Sequence, residues 1–182
     1  MAPRRNMPSK LRSLARMLCL LFCLPVHAAQ AQSDGCALQP VKHNPTAKIL
    51  RCGTRLTVQP APGTTYRPVD PGERRPPAGV QLDDGALLIE FHPTKRQHDF
   101  QILTPLAIAA VRGTKWAVEA TPDHTSTFVL TGAVSVSRAD GAATPVVLHG
   151  GEGIDVTREG GPLQVKSWSP QRIRALMARF GQ

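Results

Sequence analysis

From residue 80 onward, apolar and polar residues alternate in short runs separated by glycine and other turn residues. Residues 86–91 (ALLIEF) read as a strand, and 100–103, 107–112, 115–120, 127–131, 133–138, 146–149, 154–158 and 163–168 follow the same pattern. Trp116, Val118 and Ala120 share one face; Val134 and Val136 share another, and Ile154 and Val156 repeat the arrangement. A period of two with turns at close spacing predicts half-buried strands in an all-β domain. Gly113, Gly132 and Gly151 lie 19 residues apart, with a strand after each. That interval suggests the stacked coils of a short-strand β-solenoid first, with hairpin spacing in a β-sandwich as the alternative. Both architectures stay open.

The period changes at the end of the chain. Ile173, Leu176, Met177 and Phe180 fall at i, i+3, i+4 and i+7, Ser169 is placed to cap, and Pro170 suits the first helical position. Residues 169–182 therefore predict a C-terminal capping helix that closes the open end of the β domain, with Arg172, Arg174 and Arg179 solvated. A helix docking on an acidic or lipid surface is the alternative. Upstream, residues 59–79 carry six prolines and three glycines, a density that predicts a long extended loop or linker. Ile49-Leu50 and residues 56–58 bracket a short hairpin near Gly53. Residues 32–79 thus read as a small N-terminal segment and a proline-rich loop, set apart from the β domain at 80–168.

The first 31 residues have the three parts of a secretory signal: a basic stretch, the apolar run 17–26 (MLCLLFCLPV), and Ala29-Gln30-Ala31 as an A-x-A cleavage pattern. A spanning helix needs about 20 apolar residues, and Pro25 would break this run. Cleavage near Ala31, no transmembrane segment afterwards, and a periplasmic or secreted location are the expectation; an uncleaved anchor is the alternative. Cys19 and Cys23 leave with the signal, and Leu18 and Phe22 stand where a lipoprotein signal wants a small residue. Cys36 and Cys52 remain, an even pair in an exported chain, and read as a disulfide. Such a loop closure contributes roughly 3 kcal/mol in the chain-entropy view.

Charge changes the picture little. The net charge is +9, but Arg4, Arg5, Lys10, Arg12 and Arg16 sit in the signal and leave 17 basic residues against 13 acidic ones. The pairs Arg74-Arg75 and Lys95-Arg96 are too few for a nucleic-acid groove, and a single Tyr supplies no stacking platform. His92, His98 and Asp99 lie in a proline-bearing stretch that reads as a polar loop, not a metal site. His43, His124 and His149 stand alone in sequence. Asp83-Asp84-Gly85 reads as a hairpin turn, since no further acids follow at calcium-ligand spacing. No G-x-S-x-G, Cys–His pairing or phosphate loop occurs, and Gly150-Gly151-Glu152-Gly153 lies between strands, without a helix N-terminus. No catalytic residue, metal site or cofactor is predicted.

Residues 82–88 (LDDGALL), 104–114 (TPLAIAAVRGT), 130–134 (LTGAV) and 148–156 (LHGGEGIDV) together resemble the FecR-like domain family, over roughly 80–160 and more faintly 48–58. The specific part is the TP-hydrophobic-VRGT run, with Thr104, Pro105, Val111, Arg112, Gly113 and Thr114, followed by L-x-G-x-V. The resemblance implies an exported, β-rich, solenoid-like domain without enzymatic activity. In its best-known members a periplasmic part senses the signalling domain of an outer-membrane transporter and controls a sigma factor across the inner membrane. This chain departs from that plan: it shows no cytoplasmic anti-sigma segment and no membrane helix once the signal is cleaved. The expectation is a free-standing periplasmic protein-interaction or sensing module with an envelope protein as partner. A small-ligand or glycan-binding envelope protein is the alternative, and a passive structural domain the third reading. Within the motif, Pro105 should mark a strand start or edge. Gly113 should supply a turn of unusual φ, with Thr114 bonding locally to the backbone. Arg112 should tie loops together through carbonyls or Glu90 or Glu119, or else meet a partner's carboxylate. A free strand edge would suit β-augmentation.

Overall fold

The computed structural model describes residues 35–41, 44–69, 77–93, 100–111 and 113–182. Among these the strands are β1 (Cys36–Val41), β2 (Asn44–Cys52), β3 (Leu56–Pro60), β4 (Thr65–Val69), β5 (Gly79–Phe91), β6 (Phe100–Leu103), β7 (Ala107–Val111), β8 (Thr114–Ala120), β9 (His124–Thr131), β10 (Ala133–Arg138), β11 (Val146–His149), β12 (Glu152–Thr157) and β13 (Lys166–Ser167). One helix follows, α1 (Pro170–Ala178).

The long strand β5 explains how one sheet encloses a core. Up to Asp84 it pairs with β4 and β6; from Gly85 onward it pairs with β3 and β8. The sheet therefore curls into two layers that share β5. The bare layer runs β4-β5-β6-β7-β10-β11, and the helix-bearing layer runs β1-β2-β3-β5-β8-β9-β12-β13. Alternation then decides the faces. Leu87, Ile89, Trp116 and Val118 of the helix-bearing layer meet Phe100, Ile102, Val134 and Val136 of the bare layer in one core. Among the described strands only β5 and β6 pair in parallel. The all-β prediction holds, and the sheet is a curled half-barrel, nearer the sandwich alternative than to coils stacked in parallel.

The 19-residue glycine interval has a structural cause. Gly113 (φ 72°), Gly132 (φ 89°) and Gly151 (φ 87°) sit at the corners β7–β8, β9–β10 and β11–β12, where the chain passes from one layer to the other. Each interval is one hairpin plus one corner. Gly85 (φ 100°) makes the same passage inside β5. This corrects the hairpin turn expected at Asp83-Asp84-Gly85: the strand continues through it. A Cβ on Gly85 would lie 2.6 Å from Thr64 Oγ1 and 2.7 Å from its Cα, so the corner closes on Thr64 only with glycine.

Two other expectations are corrected. Residues 59–79 do not set the N-terminal segment apart. β3 pairs with β5 across Leu56–Phe91 to Pro60–Leu87, and Leu50, Leu56 and Val58 lie in the shared core. Prolines are tolerated here because β4, which holds Pro68, pairs only with β5 among the described strands. The strand expected over 163–168 shrinks to the two residues of β13. The hairpin at Gly53 is present as β2–β3, and the Cys36–Cys52 disulfide joins directly opposed positions of β1 and β2.

Helix α1 forms as predicted, with Ser169 Oγ accepting from the Arg172 N–H at 3.3 Å and Pro170 opening the first turn. It caps a face of the sheet, not its open end. Leu176, Met177 and Phe180 pack with Trp168 on Ala86, Leu88, Ala117 and Phe128, the outward side chains of the helix-bearing layer. The physical reason lies in those strands. Leu88 and Phe128 leave an apolar stripe on the side away from the core, and a stripe of that size needs cover.

Candidate functional site

The motif residues prove to be the chemistry of the corners. Thr104 is buried in the turn between β6 and β7, where its Oγ1 donates to the Ala107 carbonyl and accepts from the Ala107 N–H, both at 2.9 Å. It also lies 3.0 Å from Thr125 Oγ1 of β9, in the other layer. Pro105 is exposed in that turn, between strands and not at the start of one. Val111 ends β7 inside the core. The Thr114 hydroxyl donates to the Ala133 carbonyl at 3.0 Å, across to the next corner, 19 residues on. A Cβ on Gly132 would come within 2.5 Å of the Gly113 carbonyl, so these two corners rest directly on each other. Arg112 lies outside the described residues, as do His43, Arg74, Arg75, Lys95, Arg96, His98, Asp99 and the signal segment with Cys19 and Cys23. The acids considered for Arg112 have other partners among the described residues. Glu119 accepts from Arg179, and Glu90 lies 3.2 Å from His92.

A polar cluster that the sequence pattern did not bring together lies where α1 meets the sheet. Ser126 on β9 donates to Asp155 Oδ1 on β12 at 2.7 Å, and His124 Nε2 lies 2.8 Å from the same hydroxyl. Arg172 of α1 takes both Asp155 oxygens, at 2.9 and 2.5 Å, while its guanidinium lies 3.4 Å over the Trp168 ring. This corrects the expectation of solvated arginines: Arg172 and Arg179 both clamp the helix to the sheet, and Arg174 alone of the three is exposed. The signal in the sequence was the i, i+2 placement of His124 and Ser126 on one strand face, but Asp155 and Arg172 are remote in sequence. Serine, histidine and aspartate meet here in an order unlike that of a nucleophile. Activation needs the histidine between serine and carboxylate; here His124 Nε2 faces both Ser126 Oγ and, at 3.3 Å, Asp155 Oδ1, and the serine gives its proton to Asp155.

Partial burial pushes the Asp155 carboxyl upward, but the hydrogen bonds from Arg172 and Ser126, with the Arg172 and His124 charges, outweigh it and hold the group below its ordinary value. A carboxylate with a lowered folded-state pKa stabilises the fold above its unfolded-state pKa, and that contribution is lost as pH falls through the folded-state value. Acidification below about pH 4 is therefore expected to loosen α1 before the core opens. Amide exchange of α1 measured against pH checks this, and an Asp155→Asn variant should lose the dependence.

A groove of about 490 Å³ near the sheet edges is lined by Leu38, Lys48, Leu50, Tyr66 and the prolines 60, 62 and 68. Among the described strands β1 ends the helix-bearing layer on this side and β4 ends the bare layer, so the groove lies between these two edges. Burial raises the Tyr66 hydroxyl pKa. Among the described residues no three His, Cys, Asp or Glu side chains come together as a metal-holding group, and no helix is long and apolar enough to cross a membrane.

Comparison with known proteins agrees with this architecture. Two crystal structures of a protein from Parabacteroides distasonis, assigned as an anti-sigma factor, share the fold with a TM-score of 0.54 at 17% identity. The match covers 80% of this chain and 62% of that one. No curated protein sequence matches the chain. The FecR protein family matches residues 46–135, from β2 to the start of β10, which takes in β3 and β4 ahead of the stretch where the resemblance is strongest in sequence. Through that segment the chain belongs to the FecR family.

Proposed function

We propose that this chain is an exported, non-enzymatic FecR module that works by binding another protein of the cell envelope as part of a sensing or signalling relay. The observation that carries the reading is the FecR match over residues 46–135, which spans both layers and the shared strand β5. The anti-sigma assignment of the structurally similar protein fits a signalling role. The basic, apolar and A-x-A segments of residues 1–31 support export to the periplasm or beyond. The logic of this module is rigid: the motif threonines and glycines commit their hydrogen bonds and conformations to corners, which leaves recognition to surfaces between them.

The test uses the full-length tagged chain in its native host. N-terminal sequencing of the isolated protein is expected to begin after Ala31, and a chain still starting at Met1 would overturn export by a cleaved signal. Cross-linking in intact cells, followed by mass spectrometry, is expected to return one reproducible envelope partner. The same yield from a variant with scrambled exposed residues would overturn the interaction role.

A further inference from the structure

We propose that the groove between β1–β2 and the turn from β3 to β4 docks an extended, apolar segment of a partner protein that carries a carboxylate opposite Lys48. This rests on the interaction role above and gives it a surface. Leu38 stands opposite Leu50 in the β1–β2 ladder and so faces the core side of the sheet, yet it is 58% exposed, whereas Leu50 is buried. The cause is topological. Among the described strands the bare layer stops at β4 and leaves Leu38 uncovered. A core position is thereby left open to solvent, and removing it from water favours whatever fills the gap.

The opposite wall is made of Pro60, Pro62, Pro68 and Tyr66. Proline rings lose almost no side-chain entropy when covered, so this wall is ordered in advance of binding. Pro40 on β1 and Pro68 on β4 each lack a backbone donor, which blunts both flanking edges against indiscriminate strand pairing. Recognition here therefore comes from side-chain burial more than from the β-augmentation a free edge would suggest. Among the described residues Lys48 is the one charged side chain lining the groove, is exposed, and has no acidic partner. An apolar cleft with a single unpaired ammonium at its rim is complementary to an apolar segment with one acidic residue. The volume of about 490 Å³ suits a few apolar side chains, not a whole helix.

Random-peptide display against the full chain, purified as its host processes it, tests the proposal. Enriched peptides are expected to alternate apolar residues and to carry Asp or Glu at one position. Leu38→Asp should weaken their binding roughly tenfold to a hundredfold, the equivalent of one leucine side chain left in water. Lys48→Glu, a substitution at an exposed site, should shift the selected residue from Asp or Glu to Lys or Arg. That exchange reads the groove even if Leu38→Asp disturbs β1. No enrichment, enrichment without an acidic preference, or peptides that bind both variants as well as the parent would each overturn the groove. In the last case the interaction role itself survives on another surface, which separates the two failures.

Discussion

Gly132→Ala is expected to destabilise the fold by about 3 kcal/mol, while Gly141→Ala costs only about 1. Both glycines have positive φ, 89° and 70°, so both substitutions force an L-residue into the left-handed region. They differ in surroundings. Around Gly141 nothing lies within 4 Å of a new Cβ, whereas at Gly132 the methyl meets the Gly113 carbonyl at 2.5 Å and Thr114 Oγ1 at 2.8 Å. One obstacle is backbone, which cannot rotate away, and the other is a hydroxyl already committed to the Ala133 carbonyl. The alanine must therefore separate two corners that carry the chain between layers, and β8 and β10 move with them. Denaturant melts of the two variants check the difference. Equal losses would mean that φ alone matters and that the corners do not bear on each other.

How much of this was legible in the sequence depends on the range of the interaction. Alternation in 115–120 and 133–138 placed Trp116, Val118, Val134 and Val136 correctly in the core, because a strand face is decided by neighbours two residues away. Capping of α1 by Ser169 was equally local. The glycine period was visible, but its meaning was not: a corner between layers and a turn within one layer demand the same positive φ. Asp84-Gly85 went wrong for that reason, since only Thr64, approaching from another segment, shows that the strand continues through the glycine. Residues 59–79 went wrong for another. Proline density rules out a central strand but not an edge, and β4 is an edge. The polar cluster was hidden because Asp155 and Arg172 reach Ser126 only after β9, β12 and α1 have assembled. The groove was hidden as well, because an exposed Leu38 carries meaning only once Leu50 opposite it is seen to be buried.

Trp168→Ala is expected to cost about 3 kcal/mol and to release α1 from the sheet, the range for deleting a buried aromatic side chain. Trp168 lies between β13 and the helix, 8% exposed, with its ring stacked on Phe128 at 5.0 Å between centroids and the Arg172 guanidinium on its other side. Gly153 on β12 makes room for it: a Cβ there would run into the indole ring, so the strand is hollowed where the tryptophan seats. The indole Nε1 is buried without a hydrogen-bond partner, which keeps the loss toward the low end of that range. Removing the ring leaves Arg172 with Asp155 but without its stacking surface, and uncovers Phe128, Leu88 and Ala117. Because the main core between the layers is separate from this stripe, the sheet should stay folded while the helix becomes a protease target. Limited proteolysis is expected to cut the variant beyond residue 168 and to leave the β domain intact. Global unfolding without a clipped intermediate would mean that the helix and the two-layered core fold as one unit, and that α1 is part of what holds the half-barrel closed.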